Sequence, residues 1–77
     1  MLTAVTDPGD PILRRLADEA ASIAEDLQAR GVTRLTRTRL QRDMRIGFGT
    51  VGRVMNELEA RMVVAPDDGD PQGRRIL

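Results

Sequence analysis

The chain has 77 residues, twelve basic against twelve acidic side chains, and neither histidine nor cysteine. The absence of cysteine excludes disulfides and thiolate metal sites, and the absence of histidine removes the commonest general base and metal ligand. No apolar run approaches the ~20 residues that span a bilayer, and no signal-peptide pattern is present. The sequence therefore predicts one small cytoplasmic domain that is not an enzyme and holds no cofactor or metal.

The first helix is predicted to begin directly after Asp10, because Asp10 followed by Pro11 is a typical N-cap and first-turn pair. An apolar stripe continues to about Ala29, and Gly31 then provides the glycine that commonly follows a helix. The stripe consists of Leu13, Leu16, Ala17, Ala20, Ile23, Ala24 and Leu27. Residues 1–9 are polar and turn-rich, and we interpret them as a flexible lead.

The second helix follows a short β-prone segment, residues 32–35. Either Thr36 or Thr38 can cap this helix, because both hydroxyls stand before its first apolar position. Leu40 and Met44 are four residues apart and are therefore the predicted buried positions.

The turn after the second helix contains Gly47, which is predicted to end that helix, and Phe48, the only aromatic residue in the chain. Phe48 is predicted to point into the core as a hydrophobic staple rather than to stack on a base.

The third helix is predicted from Thr50 onwards, where apolar residues recur at helical spacing: Val51, Val54, Met55, Leu58 and Met62. The opposite side carries Gly49, Gly52, Arg53, Asn56 and Ala60. This side has no carboxylate in its first two turns. A helix with such an N-terminal half is what the DNA major groove admits.

The C-terminal part is predicted to be a β-hairpin. Val63 and Val64 form its first strand, residues 65–73 its turn-rich loop, and residues 74–77 its returning strand. Helix, strand, helix, helix, strand, loop, strand is the order of a winged helix. The predicted fold class is therefore α+β, a winged helix-turn-helix over residues 10–77, with three helices and a small C-terminal β-hairpin wing.

The balanced net charge conceals an asymmetric distribution. Residues 1–29 hold two arginines against six carboxylates, residues 30–53 seven arginines against one aspartate, and residues 54–77 three arginines against five carboxylates. Such a basic block indicates a polyanionic partner. Every basic residue is arginine, which suits bidentate phosphate and guanine contacts, although a GC-rich genome also yields arginine-rich proteins.

A set of motifs extends from the second helix to the C-terminus: Leu40-Gln41-Arg42, Arg45-Ile46-Gly47-Phe48, Arg53, Met55, Glu57-Leu58-Glu59, Pro66, Asp68-Gly69, Arg74 and Ile76-Leu77. This set resembles the gamma domain of the FtsK/SpoIIIE family of DNA translocases, over about residues 10–77. The resemblance implies a winged helix that recognises short, oriented DNA sequences and sets the direction in which the motor loads. It also implies a bacterial protein of the nucleoid or of a plasmid, acting in chromosome segregation or plasmid transfer.

Two departures from the family pattern concern the DNA sequence that is read rather than the mode of binding. Gly49 and Thr50 stand where the family commonly has asparagine and then arginine, whereas Arg53 is kept. The wing is one residue longer and more acidic. No phosphate-binding loop of the Gly-x-x-x-x-Gly-Lys-[ST] type occurs, so any ATPase motor would lie on another part of a longer protein.

The candidate DNA-binding residues are Arg37, Arg39, Arg42, Gly49, Thr50, Arg53, Asn56, Arg74 and Arg75. Arg53 is predicted to contact a base edge or a phosphate; the alternative is an ion pair with Glu57 one turn later. The arginines of the second helix are candidate phosphate contacts, and those at the wing base could reach a neighbouring groove. Gly49 either permits close approach of DNA or serves only as an N-cap.

The expected partner is double-stranded DNA, with several copies of the domain per site, together with a translocase motor. No small-molecule ligand and no membrane contact is expected. Two other functions remain open: a small transcriptional regulator that binds a palindromic operator, and a winged helix that binds proteins through its acidic first helix and binds no DNA. Steep salt dependence would favour DNA binding, and a non-palindromic target would favour the translocase.

Overall fold

The computed structural model describes residues 10–77 as a small α+β fold with three helices and a two-stranded antiparallel sheet. The elements are α1 (Pro11–Ala29), β1 (Arg34–Leu35), α2 (Arg37–Met44), α3 (Phe48–Ala60) and β2 (Arg74–Arg75). The predicted α+β class with three helices is thereby confirmed. The flexible lead predicted for residues 1–9 lies outside the described residues.

α1 begins and ends as predicted. The Asp10 carboxylate accepts hydrogen bonds from the backbone N–H groups of Ile12 and Leu13, at 2.9 and 3.3 Å. Gly31 has a φ of +88°, a left-handed conformation that suits glycine. The apolar stripe faces the core with Ala17, Ala20, Ala24 and Leu27 buried. α1 has 19 residues, yet no helix among residues 10–77 is long and apolar enough to cross a membrane.

α2 is capped by Thr36, whose hydroxyl accepts a hydrogen bond from the Arg39 N–H at 3.0 Å. Thr36, and not Thr38, is therefore the N-cap. Leu40 is fully buried and Met44 packs against the core, as their spacing predicts.

The turn between α2 and α3 differs from its prediction in two ways. α2 ends two residues earlier, because Arg45, and not Gly47, is its C-cap and takes a left-handed conformation (φ 56°). Gly47 is instead the N-cap of α3, which begins at Phe48 rather than at Thr50. Gly49 consequently lies within the first turn of α3 and is not its N-cap. A glycine fits both a helix end and a helix start, so the local pattern did not distinguish the two.

The sheet joins β1 to β2 in antiparallel register: Arg34 opposite Arg75, and Leu35 opposite Arg74. The strand predicted at residues 63–64 is reduced to one isolated antiparallel bridge, between Val64 and Ile76. This bridge places the segment before residues 65–73, the loop that was predicted to be the wing and that we call the wing loop, alongside the segment that follows it. The returning strand is thus central, with β1 on one side and Val64 on the other.

One apolar core lies between the three helices and the sheet. Its largest fully buried side chains are Leu35, Leu40, Met55, Leu58, Val51, Val54 and Val64. Two residues predicted to be in the core are exposed: Phe48 by 67% and Met62 by 76%. Met62 lies beyond the end of α3 with a φ of 62°, so the helical spacing that connected it to Leu58 does not reach it.

Candidate nucleic-acid interface

One side of α3 is buried and the other side is open to solvent. The buried side packs against α1 and α2 through Val51, Val54, Met55 and Leu58. The open side carries Gly49, Arg53, Asn56 and Ala60, all exposed, and we refer to these four residues as the outer face of α3. No acidic residue belongs to the outer face, which is the side predicted to enter a major groove.

Two glycines leave part of the first two turns of α3 without side chains: Gly49 on the outer face and Gly52 beside it. A Cβ atom added at Gly49 or at Gly52 would meet no heavy atom within 4 Å. Neither residue has a positive φ, so neither the packing nor the backbone conformation requires glycine there. The bare backbone allows an external partner to approach the helix closely.

Arg53 carries the only charge on the outer face, and its side chain is 66% exposed. Its Nη2 lies 3.6 Å from Oδ2 of Asp10, the residue that caps α1. The alternative pair between Arg53 and Glu57 is not formed, since Glu57 accepts a hydrogen bond from Nε of Arg61 at 3.2 Å. The side chain of Arg53 is therefore held at the start of α1 by a long, exposed ion pair.

Thr50 and Asn56 are both exposed but occupy different positions on α3. Thr50 borders a shallow groove that it shares with Arg53 and with Asp10 and Ile12 at the start of α1. Asn56 lies on the outer face, one turn beyond Arg53. Of the polar candidates on α3, Arg53 and Asn56 are thus the two on the outer face, and Thr50 is at its edge.

The arginines of α2 differ in their surroundings. Nε of Arg39 donates to Oδ2 of Asp43 at 3.0 Å, so Arg39 is already paired. The guanidinium of Arg37 lies 5.6 Å from the centroid of the Phe48 ring. Arg42 is exposed, and so is Arg45 at the helix end. Among residues 10–77, three arginines of α2 and its C-cap form no ion pair with a carboxylate and are exposed: Arg37, Arg42 and Arg45.

The basic block of residues 30–53 is not one free basic surface. Four of its seven arginines lie against carboxylates: Arg30 with Asp26, Arg34 with Asp68 and Asp70, Arg39 with Asp43, and Arg53 with Asp10. The unpaired charge of the block is thus concentrated on α2 and its C-cap. Counting charges along the chain overestimated the free basic surface, because two of these arginines, Arg34 and Arg53, have partners that are distant in sequence.

The wing loop is acidic and is held against β1. Nη1 of Arg34 donates to the carboxylate of Asp68 at 3.2 Å and to the carbonyl of Gly73 at 2.7 Å. The first of these hydrogen bonds lowers the pKa of the Asp68 carboxyl below its ordinary value. Asp67 and Asp70 lie nearby in the loop, yet within residues 10–77 no three acidic side chains are grouped so as to hold a metal ion. A loop with three carboxylates and no cation repels a phosphate backbone.

Arg74 and Arg75 point to opposite sides of the returning strand, as successive strand residues do. Arg75 is exposed, whereas Arg74 is only 8% exposed. Nη1 of Arg74 donates to the carbonyl of Met55 at 3.4 Å and to Oε1 of Glu59 at 3.2 Å. Arg74 therefore joins the wing to α3 and is not available at the surface. The strand alternation already contained this signal, since Arg74 shares its side with buried Ile76.

Phe48 is the surface residue that the sequence reasoning missed. It was assigned to the core, but the structure places it at the first position of α3 with most of its ring in solvent. On a helical wheel Phe48 lies on the same side as Met55, two turns away, so the helical spacing alone did not predict that Phe48 is exposed. Ile46 packs against the core from this turn, and Phe48 does not.

Comparisons with protein-family models, with curated proteins and with solved structures found no match. The resemblance to the gamma domain of the FtsK/SpoIIIE translocases therefore rests on the residues quoted for it. The function is inferred from those residues together with the outer face of α3 and the arginines beside it.

Proposed function

We propose that this chain is a winged-helix domain that binds double-stranded DNA sequence-specifically, with α3 in the major groove. The order of elements and the central position of the returning strand between β1 and Val64 support the winged-helix assignment. α3 has 13 residues and a core-packed side opposite an open one, which is the form of a recognition helix.

The observation that carries the proposal is the contrast between the outer face of α3 and the rest of the surface. The outer face has no carboxylate, small residues at two of its four positions, and one arginine. The helix next to it presents arginines without carboxylate partners, whereas α1 exposes Asp18, Glu19, Glu25 and Asp26. A polyanion is attracted to the first region and repelled by the second.

The proposed roles follow from the surroundings of each residue. Arg53 and Asn56 read base edges, because they are the polar side chains of the outer face. Arg37, Arg42 and Arg45 contact phosphates, since they are exposed and unpaired within residues 10–77. Gly49 and Thr50 line the approach of the DNA, Arg39 contributes only when its pair with Asp43 opens, and Arg75 is a secondary phosphate contact. Arg74 is left out because it is buried.

The biological role that we propose is that of a gamma-like domain. Several copies of the domain recognise a short, oriented DNA motif. They direct an FtsK/SpoIIIE-type motor that lies on another part of a longer protein or on a partner. This role places the protein with the nucleoid or a plasmid in a bacterial cytoplasm. Its support is the motif set from Leu40 to Leu77 and the retention of Arg53.

The test is selection of bound sequences from a random duplex pool, followed by affinity measurements across a salt series. We expect one enriched motif without two-fold symmetry, and a logarithm of affinity that falls steeply with the logarithm of salt concentration. The variant Arg53→Ala in the same selection should lose the preference at one base pair of the motif while still binding duplexes.

Other outcomes would replace the proposal. A palindromic motif bound by a dimer would indicate a transcriptional regulator, because a two-fold dimer reads inverted half-sites. Absence of enrichment together with a flat salt dependence would indicate a protein-binding domain, for which the acidic surface of α1 would be the first region to test.

A further inference from the structure

Phe48 exposes a large apolar side chain at the start of α3. Its ring is 67% exposed and does not belong to the core. An exposed phenylalanine forgoes the favourable burial of a side chain of 150–250 Å², roughly the largest that a protein has. Its exposure leaves the ring free to contact a partner.

The residues on either side of Phe48 leave its ring uncovered. Gly47 and Gly49 have no side chains that could cover it. The ring consequently projects from the N-terminal end of α3, where an approaching surface meets it early.

The charge around Phe48 limits which surface that can be. The guanidinium of Arg37 lies 5.6 Å from the ring centroid, and no carboxylate belongs to the first turn of α3. An apolar partner surface without anions would have to desolvate Arg37 without compensation. A DNA groove offers phosphates to Arg37 and, within the same groove, an apolar group to Phe48, because thymine presents its C5-methyl in the major groove.

We infer that Phe48 is a specificity-determining residue whose ring contacts the C5-methyl group of a thymine in the major groove. This inference rests on the proposed function, since it requires α3 to occupy that groove. Phe48 and Arg53 are five residues apart, about 7.5 Å along a helix, and lie on different sides of α3, so the thymine and the base that Arg53 reads are different bases. The pair between Phe48 and Arg37 holds the arginine beside the groove for a phosphate contact.

The test is a double-mutant cycle, in which the methyl group is removed from the DNA and the ring from the protein, separately and together. In the selected duplex, each thymine is replaced in turn by deoxyuracil, which lacks only the methyl. Affinities are measured for the wild-type chain, for Phe48→Ala and for Phe48→Leu at one salt concentration. Met62→Ala, another exposed apolar side chain, is the matched control.

We expect one deoxyuracil position to weaken wild-type binding roughly fourfold, as the burial of one methyl-sized group predicts. Phe48→Ala should bind the thymine duplex more weakly and show no difference between thymine and deoxyuracil at that position. Phe48→Leu should keep part of the difference, and Met62→Ala all of it. Unchanged thermal unfolding of the Phe48 variants would exclude a folding defect as the cause.

Failure of the inference is distinguishable from failure of the proposed function. If the wild-type chain binds its motif specifically but tolerates deoxyuracil everywhere, or if Phe48→Ala keeps the full difference, the methyl contact is refuted while DNA reading stands. If Arg37→Gln abolishes the difference and Phe48→Ala does not, the exposed ring only supports Arg37. Absence of any duplex binding by the wild-type chain refutes both.

Discussion

Arg34 in β1 binds Asp68 in the wing loop, 34 positions later in the chain. Nη1 of Arg34 lies 3.3 and 3.2 Å from the two carboxylate oxygens, and its Nη2 lies 3.2 Å from one of them. The same guanidinium donates to the carbonyl of Gly73, where the loop joins β2. One arginine thus holds the middle of an acidic loop and its C-terminal end against β1, and this pairing means that the guanidinium of Arg34 is not free for a phosphate.

The first prediction concerns the pH dependence of this contact. The hydrogen bond from Arg34 lowers the pKa of Asp68 from its ordinary value of 3.8. A lowered pKa stabilises the fold above the unfolded-state value, and this contribution is lost as the pH falls through the lowered folded-state value. We expect Arg34→Gln to raise the pKa of Asp68 toward 3.8, measured by NMR titration of its carboxyl carbon.

Arg30→Gln is the matched control, because it removes an arginine that pairs with Asp26 on α1. This variant should leave the titration of Asp68 unchanged. An Asp68 that titrates identically in Arg34→Gln and in the wild-type chain would show that the contact is absent in solution.

The second prediction concerns the core. Leu58 on α3 is fully buried, so Leu58→Ala should lower the free energy of unfolding by about 2–5 kcal/mol. The free energy of unfolding of a native protein is about 5–15 kcal/mol in total, so the variant could be partly unfolded at room temperature. Met62→Ala is the control, since Met62 is exposed. Thermal unfolding by circular dichroism measures both, and equal midpoints would contradict the assigned packing of α3.

Local signals in the sequence predicted the parts of the fold that local chemistry determines. Asp10 and Pro11 marked the start of α1, and Gly31 marked its end, because a capping carboxylate and a left-handed glycine act within one turn. The apolar spacing of Val51, Val54, Met55 and Leu58 identified the buried side of α3 and hence its outer face. The candidate site was thus largely predictable in position.

The remaining features depend on contacts between distant residues. α3 ends before Met62, which takes a left-handed conformation, and its C-cap Arg61 hydrogen-bonds to Asp18, 43 positions earlier in the chain. The partners of Arg34 and Arg53 are similarly remote, and a count of charges along the chain treats such pairs as free. The exposure of Phe48 depends on where the neighbouring helices end. The periodicity of apolar residues does not predict those ends.

The third prediction concerns phosphate contacts. Arg42→Gln combined with Arg45→Gln should weaken binding to all duplexes alike and reduce the salt slope by about one unit for each lost contact. The physical reason is counterion release, which depends on the number of phosphates neutralised and not on base sequence. Fluorescence anisotropy with one specific and one unrelated duplex, across a salt series, measures both effects.

Arg30→Gln serves again as the control for this prediction. Arg30 lies at the C-terminal end of α1, about 28 Å along that helix from the end that Arg53 contacts. Arg30→Gln removes one positive charge, half of what the double variant removes, from a position that is already paired with Asp26. A slope reduced by Arg30→Gln half as much as by the double variant would mean that net charge alone, and not the surface of α2 and its C-cap, determines affinity.

The fourth prediction concerns base reading by Arg53. An arginine on a recognition helix typically pairs with O6 and N7 of guanine, a bidentate contact that gives about 1–3 kcal/mol of discrimination. Arg53→Ala should therefore relax the preference at one G·C pair and leave binding to unrelated duplexes nearly unchanged. Affinities for the selected site and for all of its single-base mismatches, at fixed salt, measure the effect. A loss that is uniform across the mismatches would assign Arg53 to a phosphate and leave base reading to Asn56.

The last prediction concerns the competition between DNA and Asp10 for Arg53. The two side chains are 3.6 Å apart and both substantially exposed, so the pair contributes at most about 1 kcal/mol. Asp10→Asn keeps a residue that caps α1 equally well but removes the charge that holds Arg53. We expect this variant to bind the selected site up to about fivefold more tightly, the equivalent of that ion pair.

Removing a carboxylate near DNA also reduces general electrostatic repulsion. The effect of Asp10→Asn is therefore measured both in the wild-type chain and in the Arg53→Ala variant. If Asp10 acts by holding Arg53, Asp10→Asn should improve binding to the selected site in the wild-type chain and have little effect when Arg53 is alanine. An equal gain in both backgrounds would show that Asp10 weakens binding only by repelling the DNA and not by pairing with Arg53. The guanidinium would then leave Asp10 at no measurable cost, and the pair between Asp10 and Arg53 in the free protein would have no influence on the affinity for the selected site.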